Sequence, residues 1–197
     1  AVVAGGEGLA GVVRRGAAGA APRVRVGANG VSAEVLQAEF DPSFELPDGL
    51  SGCRYVLNVA TFEHKKAQDV LIDAFALVAT RDPDVRLVLV GRATPWLEEI
   101  RQRAASLGLA HRVHFFDDVP HYQVLTFLTH ASVFCLPSRA EGHPVAILEA
   151  AALGVPVVST PVGGIAQTIT HESHGLLVSV DDAPALADAV CRLLADP

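Results

Sequence analysis

Two carboxylates stand eight positions apart in the segment Glu141-Gly-His-Pro-Val-Ala-Ile-Leu-Glu149. An apolar run ending at Leu136 precedes this segment and Gly154 follows it, so the order strand, loop, helix and turn is indicated. The loop then lies at the carboxyl end of a strand, which is the edge where open α/β sheets bind ligands. The helix that follows offers unpaired N–H groups and the positive end of its dipole. The segment therefore predicts a site for an anionic ligand such as phosphate.

The elements that must position this site alternate regularly from Tyr55 onward. The predicted strands, several of them continuous β-branched runs typical of strands covered on both faces, are Tyr55–Val59, Val85–Val90, Val113–Phe115, Val133–Leu136, Val155–Val158 and Leu176–Val178. The predicted helices, from their apolar faces and caps, are Ala67–Val78, Pro95–Leu107, His121–Thr129, Pro144–Leu153, Ile165–Ile169 and Ala183–Leu194. This alternation predicts the α/β class, with a Rossmann-like, doubly wound parallel sheet.

Composition limits the function classes. The chain has 197 residues, half of them hydrophobic, and a formal net charge of −7. Nucleic acids and anionic membranes require a basic surface, so neither is an expected partner. No apolar stretch is long enough for a transmembrane segment, and the amino terminus lacks a signal-peptide layout. Three scattered cysteines, Cys53, Cys135 and Cys191, indicate neither a disulfide framework nor a zinc site, which favours a reducing, cytoplasmic location.

The first fifty residues follow a different pattern, rich in small, Gly and Pro residues. We interpret residues 1–21 as the strand and helix remnant of a preceding N-terminal domain with a hinge, and residues 22–197 as the domain that carries the site. The chain contains no Met, which indicates a piece of a longer protein. Gly6, Gly8 and Gly11 fit the dinucleotide fingerprint, but no acid follows at the distance where ribose is bound, so a small-residue helix start is favoured.

A series of motifs carries a family resemblance. The motifs are, in order, Asn29-Gly-Val31, Thr61-Phe-Glu-His-Lys-Lys66 with Asp69-Val-Leu-Ile72, Leu87-Val-Leu-Val-Gly91, Val113-His-Phe115, Leu136-Pro-Ser138, the segment 141–149, Gly154-Val-Pro-Val-Val158, Gly163-Gly164 and Gly175-Leu-Leu-Val178. In this order, residues 22–197 resemble the C-terminal, donor-binding domain of the retaining glycosyltransferases of family 4. The resemblance implies one half of a GT-B fold, in which two Rossmann-like domains face a cleft. It implies transfer of a sugar, hexosyltransferase type, from a nucleotide-diphosphate sugar with retention of configuration.

The resemblance also implies roles for the matching residues. Lys66 and Glu141 are the implied catalytic residues: Lys66 neutralises the departing diphosphate, and Glu141 contacts the donor sugar near its anomeric carbon. Glu149 accepts hydrogen bonds from ribose hydroxyls, since an ionised carboxylate has acceptor sites only. Amides at 142–143 hold sugar or phosphate oxygens, and backbone near Val119 contacts the base. The full implied donor-binding set is Thr61, Lys66, Gly91, Arg92, Val119, Ser138, Glu141, Gly142, His143, Pro144, Val145, Glu149, Gly163 and Gly164.

The chain departs from the family pattern at several positions. Thr61 stands where an Arg is usual, which removes a cation from the leaving-group site, and Arg92 is a candidate for the missing charge. Glycines usual near Ala67, Ala93 and Asp117 are absent, and Gln167 replaces an acid after the double glycine. These losses leave open a degenerate, non-catalytic nucleotide-sugar-binding or structural module as the alternative function. An unrelated doubly wound domain is disfavoured, because no G-x-x-x-x-G-K-[ST] phosphate loop is present.

Partners and cofactors follow from the same resemblance. The nucleotide-sugar is a substrate, so no cofactor is implied, and the site needs no obligatory metal. The pairs His111/His114 and His171/His174 are interpreted as loop and strand-edge residues, because no third ligand clusters with either pair. A missing N-terminal acceptor domain is the implied partner, so the chain alone should turn over little or no substrate. A homodimer through the exposed cleft is possible. The base, the sugar and the acceptor are left open.

Overall fold

The computed structural model describes residues 2–5, 24–27, 46–47 and 49–196. Near the amino terminus, strands β1 (Val2–Gly5) and β2 (Val24–Gly27) pair in parallel as a two-stranded sheet. This pairing joins residues on both sides of the boundary predicted near Pro22, and that boundary stays a prediction. The glycine fingerprint at 6–11 and the Asn29-Gly-Val31 motif lie outside the described residues.

The main sheet has six parallel strands. They are β3 (Tyr55–Val59), β4 (Arg86–Gly91), β5 (Val113–Asp117), β6 (Val133–Leu136), β7 (Val157–Ser159) and β8 (Leu176–Leu177). Their spatial order is β5-β4-β3-β6-β7-β8. Counted from β3, this is the 3-2-1-4-5-6 order of the Rossmann fold, so the predicted fold class is confirmed. Along the chain, β3 is followed by β4 and β5, which lie on one side of it. The chain then crosses back to β6, which lies on the other side of β3, so the strand order reverses between the central strands β3 and β6.

In the part of the chain that the structure describes, a short turn and five helices connect the strands of the main sheet, and a sixth helix follows β8. They are a 3₁₀ turn (His64–Lys66), α1 (Gln68–Arg81), α2 (Trp96–Ser106), α3 (His121–His130), α4 (Val145–Ala152), α5 (Ile165–Thr168) and α6 (Ala183–Ala195). Apolar residues of α1, α2 and α6 form one buried cluster with the sheet, and those of α3, α4 and α5 form a second. The helices therefore cover both faces of the sheet, as a doubly wound fold requires.

Strand register explains why the central strands are almost entirely apolar. Val56 pairs with Leu87 and both belong to the first cluster, whereas the next pair, Leu57 and Val88, belongs to the second. Successive side chains thus point to opposite faces and both faces are covered, so the strand centre is apolar except at Asn58, which is fully buried and donates to the carbonyl of Cys135 over 2.8 Å. The predicted strands carry this composition, and their positions are confirmed.

Several element boundaries differ from the prediction. The first helix begins at Gln68, because Ala67 adopts a left-handed conformation (φ 53°) that separates it from the preceding 3₁₀ turn. Pro144 is the N-cap of α4 rather than a residue of its first turn, and the helix begins at Val145. β7 begins only after Pro156, which has no N–H to donate to a neighbouring strand. Across the described ranges, no helix has both the length and the apolar character needed to span a bilayer.

Candidate functional site

The candidate site lies at the carboxyl ends of β3 and β6, where the strand order reverses. Connections that leave two neighbouring strands toward opposite sides open a crevice between them, and ligands of open α/β sheets bind there. Residues 60–67 follow β3, and residues 137–144 follow β6. The Arg139 and Ala140 amides both donate to the carbonyl of Lys65, at 2.8 and 3.4 Å, so the two connections are in direct contact.

Lys66 and Glu141 meet in this crevice. The ammonium of Lys66 lies 2.7 Å from both carboxylate oxygens of Glu141, although the residues are 75 positions apart. Both side chains are largely buried, with exposed fractions of 17% and 5%. The hydroxyl of Ser138, itself fully buried, donates to Oε1 of Glu141 over 2.7 Å. The two implied catalytic residues are therefore brought together, and Ser138 orients Glu141.

Lys65 and Lys66 occupy different environments. Lys65 pairs with Glu63 at 2.7 Å and keeps 56% of its side chain exposed, whereas Lys66 is directed at Glu141. The left-handed Ala67 ends the turn directly after Lys66 and sends the chain into α1. The distinction between the two lysines, which the sequence draws only through the family motif, thus has a structural counterpart.

Arg139 links the loop that carries Glu141 to its surroundings. Its guanidinium bonds the carboxylate of Asp69 in the first turn of α1, the carbonyl of His64 at 2.6 Å and the carboxylate of Asp181 at 2.7 Å. Burial by itself raises the pKa of Asp69, but the hydrogen bonds and charge of Arg139 outweigh burial and lower it. The sequence analysis missed Arg139, and no motif in the sequence points to its partners.

Glu149 lies on α4 and is buried, with 8% of its side chain exposed. Its Oε1 is 2.8 Å from Nε2 of His121, the first residue of α3, whose side chain is 61% exposed. A buried carboxylate requires a partner, and this histidine supplies one. The sequence analysis did not identify His121.

Gly163 and Gly164 pack against the loop that carries Glu141. Gly163 has φ 55°, and a Cβ there would lie 2.0 Å from the carbonyl oxygen of Glu141. The amide of Gly164 donates to the carbonyl of Gly142 over 2.6 Å, and a Cβ on Gly164 would lie 2.1 Å from Nδ1 of His143. The loop 141–143 thus packs directly against Gly163 and Gly164, at a distance that leaves no room for a side chain on either glycine. Gly91 plays the same part for the β3 connection, since a Cβ there would lie 1.8 Å from the carbonyl oxygen of Ala60.

The remaining predicted site residues follow several different strands and differ in exposure. Gly142 and Val145 are exposed at the start of α4, and Pro144 is half-buried between them. Thr61 is half-buried and its carbonyl accepts a bond from Gln68. Two further positions complete the set: Arg92, which is exposed at the end of β4 with its carbonyl bonded by the amide of Phe62, and Val119, which packs against the second apolar cluster.

Side chains that bind metals are scattered rather than clustered in the described structure. Within the described ranges, no group of three or more His, Cys, Asp or Glu residues has the proximity to hold a metal ion. His114 lies on β5, where burial lowers its pKa and the nearby charge of Arg86 lowers it further. Lys66 brings a positive charge into the crevice, where it pairs with Glu141.

Comparison with known proteins identifies the family. The family described as "Glycosyl transferases group 1" matches residues 53–196. The chain belongs to the group 1 glycosyl transferases. The match begins just before β3 and ends in the residue after α6, so it covers the whole six-stranded sheet and its helices.

Curated relatives of this group 1 domain are longer proteins. The chain is 35% identical over 156 residues to a GDP-mannose-dependent alpha-(1-6)-phosphatidylinositol monomannoside mannosyltransferase of Mycolicibacterium smegmatis, covering 76% of this chain and 41% of that protein. It is 34% identical over 139 residues to the lipopolysaccharide core biosynthesis mannosyltransferase LpsB of Rhizobium meliloti, covering 68% and 39%. The matched region thus spans about two fifths of the length of these relatives.

Solved structures share the fold. Sucrose-phosphate synthase of Thermosynechococcus elongatus superposes with a TM-score of 0.77 and 29% identity, over 100% of this chain and 49% of that one. Anabaena HepE in complex with UDP-glucose gives 0.80 at 23% identity, over 99% and 54%. The C-terminal domain of the group 1 protein LpcC of Francisella tularensis gives 0.66 at 23% identity, over 72% and 76%. The α/β architecture of the group 1 domain is therefore that of known glycosyltransferases.

Proposed function

We propose that the chain is the C-terminal, donor-binding domain of a retaining GT-B glycosyltransferase of family 4, cytoplasmic and independent of metal. Joined to an N-terminal acceptor domain, it transfers a hexose from a nucleotide-diphosphate sugar with retention of configuration. The observation that carries the proposal is the buried Lys66–Glu141 pair at the β3/β6 crevice. Two related proteins support it: the M. smegmatis relative is described as GDP-mannose-dependent, and the Anabaena structure holds UDP-glucose.

The geometry suggests how the domain receives the diphosphate. An ammonium has three N–H donors, and Lys66 directs two of them at Glu141. The third is available to a phosphate oxygen, so the donor can bind without breaking the pair. When the bond from the anomeric carbon to the β-phosphate oxygen breaks, negative charge develops on the diphosphate. A cation already in place stabilises that charge without reorganisation.

The start of α4 completes the anion site in this proposal. Gly142 is exposed, and the positive end of the α4 dipole faces the same side as the Glu141 loop. Glu141 contacts the sugar, the amides at 142–143 hold sugar or phosphate oxygens, and Glu149 receives the ribose. Thr61 adds no positive charge, so the site relies on Lys66, with Arg92 at the adjacent strand end as the second candidate cation.

A titration tests whether the domain binds its donor. We expect the 197-residue chain to bind at least one of UDP, GDP and ADP in isothermal calorimetry, which also identifies the base. Absence of binding by all three would contradict the proposal. Joining the chain to an N-terminal acceptor domain and following the anomeric configuration of the product by NMR tests retention, and inversion would contradict it.

A non-catalytic nucleotide-sugar-binding module is the second candidate. The half-buried Thr61, which stands where the family pattern has an Arg, favours it, because the leaving group then has one cation fewer. Nucleotide binding without any transfer in the joined protein would support this candidate over the enzyme. In either case the missing N-terminal domain is the expected partner, and a homodimer through the exposed cleft is the alternative that sedimentation would detect.

A further inference from the structure

We propose that His121 is a positioning residue that holds Glu149 for recognition of the ribose hydroxyls, and that this pair makes the domain selective for ribonucleotides. The inference rests on the proposed function, since it concerns the same donor site. It starts from the contact between Nε2 of His121 and Oε1 of Glu149, 2.8 Å long, which joins two neighbouring helices of one layer.

The burial of the two side chains differs in a way that fits this role. The side chain of Glu149 is 8% exposed, and the other residues of α4 are all apolar, Val-Ala-Ile-Leu-Glu-Ala-Ala-Ala. A carboxylate in such surroundings is costly unless hydrogen bonds hold it. His121 is 61% exposed and reaches it from the solvent side. His121 therefore supplies a hydrogen bond to the Glu149 carboxylate that the apolar side chains of α4 cannot supply.

The position of His121 follows from the fold. It is the first residue of α3 and comes directly after the short connection from β5, in which Asp118 adopts a left-handed conformation with φ 52°. Val119 in that connection is the position implied for the base. The first turn of α3 thus lies at the same sheet edge as the Glu141 loop, between the implied base contact and the implied ribose contact.

The Glu149 carboxylate can accept more hydrogen bonds than the one from His121. With Oε1 taken by His121, Oε2 and the remaining lone pairs of Glu149 can accept from hydroxyl donors. Ribose presents two adjacent hydroxyls, and a carboxylate fixed in one orientation can accept from both. Without His121 the carboxylate is free to rotate, so some of the binding free energy is spent on ordering it. A nucleotide that lacks these hydroxyls gains nothing from either residue.

The test compares a ribonucleoside diphosphate with its 2′,3′-dideoxy analogue, using whichever of UDP, GDP and ADP the wild-type chain binds. Hydrogen bonds to a charged group correspond to about tenfold or more in affinity, so we expect the wild type to prefer the ribose form by at least that factor. His121→Ala should lose most of the preference, because ribose binding weakens while dideoxy binding changes less than about twofold.

Two further variants separate positioning from a structural role. In His121→Gln the side-chain amide can replace Nε2 as donor, so most of the ribose preference should return. His130→Ala is the matched control, since His130 is exposed at the other end of α3 and, among described residues, hydrogen-bonds only to the side chain of Thr129 and the carbonyl of Thr126. We expect it to behave as wild type.

The outcomes distinguish the two claims. Equal weakening of both nucleotides in His121→Ala, or an unchanged ribose preference, would overturn the role of His121 and leave the proposed function intact. A wild type that binds none of the three nucleotides would overturn both. Circular dichroism spectra of each variant establish that its fold is retained.

Discussion

Arg139 and Asp69 lie 70 positions apart and form a two-bond ion pair, with Nη1–Oδ1 and Nη2–Oδ2 distances of 3.0 and 2.8 Å. The pair links the loop that carries Glu141 to the first turn of α1, which begins two residues after Lys66. Both side chains are about one fifth exposed, so the pair is better protected from solvent than a surface ion pair. The relative position of the two implied catalytic residues therefore depends on a residue that hydrogen-bonds to the side chain of neither.

Removing this arginine should destabilise the chain. Arg139→Ala leaves Asp69 largely buried without its cation, so we expect a loss of about 2 kcal/mol in the free energy of unfolding, measured by urea denaturation. Arg81→Ala is the control, because the Arg81–Asp188 pair is exposed on the surface and its loss should change stability little. Equal effects of the two substitutions would contradict the special role of Arg139.

The same pair predicts a dependence of stability on pH. The pKa of Asp69 is lowered in the folded chain, so its ionised form stabilises the fold above the unfolded pKa, and this contribution is lost as pH falls through the folded pKa. The stability difference between wild type and Asp69→Asn should be constant above about pH 5 and should shrink below about pH 4. In the Arg139→Gln background the difference should be small throughout. If the difference in unfolding free energy between wild type and Asp69→Asn does not vary with pH, the lowered pKa of Asp69 is contradicted.

Gly163 should tolerate no side chain. Gly163→Ala combines a left-handed φ with a Cβ only 2.0 Å from the carbonyl oxygen of Glu141. Gly154 has a comparable φ of 74° with open space around it, so Gly154→Ala isolates the backbone term, about 1–2 kcal/mol. We expect Gly163→Ala to cost about 1–3 kcal/mol more than that, with weaker nucleotide binding because the Glu141 loop must move. Equal unfolding free energies for both variants would show that the loop is not packed as described.

The sequence predicted the sheet well because its signal is local. Runs such as Leu87–Val90 and Val133–Leu136 are buried on both faces, and that composition distinguishes central parallel strands. Lys66 and Glu141 were predicted through family motifs, and the structure brings them into contact. Their roles stay predictions, since no contact with a ligand tests them.

The residues that sequence analysis missed share a physical reason. Arg139 and His121 act through partners 70 and 28 positions away, and those partners are set by strand order and helix packing rather than by local pattern. Arginine side chains are mostly exposed, and no local feature of a histidine at a helix start marks it as the partner of a buried carboxylate. The lost glycine at Ala67 is the converse case, because the left-handed φ that favours glycine there is retained although the residue has changed.

The most direct test of the donor site compares two adjacent lysines. We expect Lys66→Ala to weaken binding of the nucleoside diphosphate by about tenfold to a hundredfold. The affinity for the parent nucleoside should be unchanged, because the proposed role of Lys66 is to bind the diphosphate. Lys65→Ala should bind as wild type, since Lys65 pairs with Glu63 on the surface. The double variant Lys66→Ala/Glu141→Gln leaves no unpaired carboxylate at position 141 and should show the same loss, which separates lost recognition from a damaged fold. If calorimetry gives equal diphosphate affinities for Lys65→Ala and Lys66→Ala, the crevice between β3 and β6 is not the donor site.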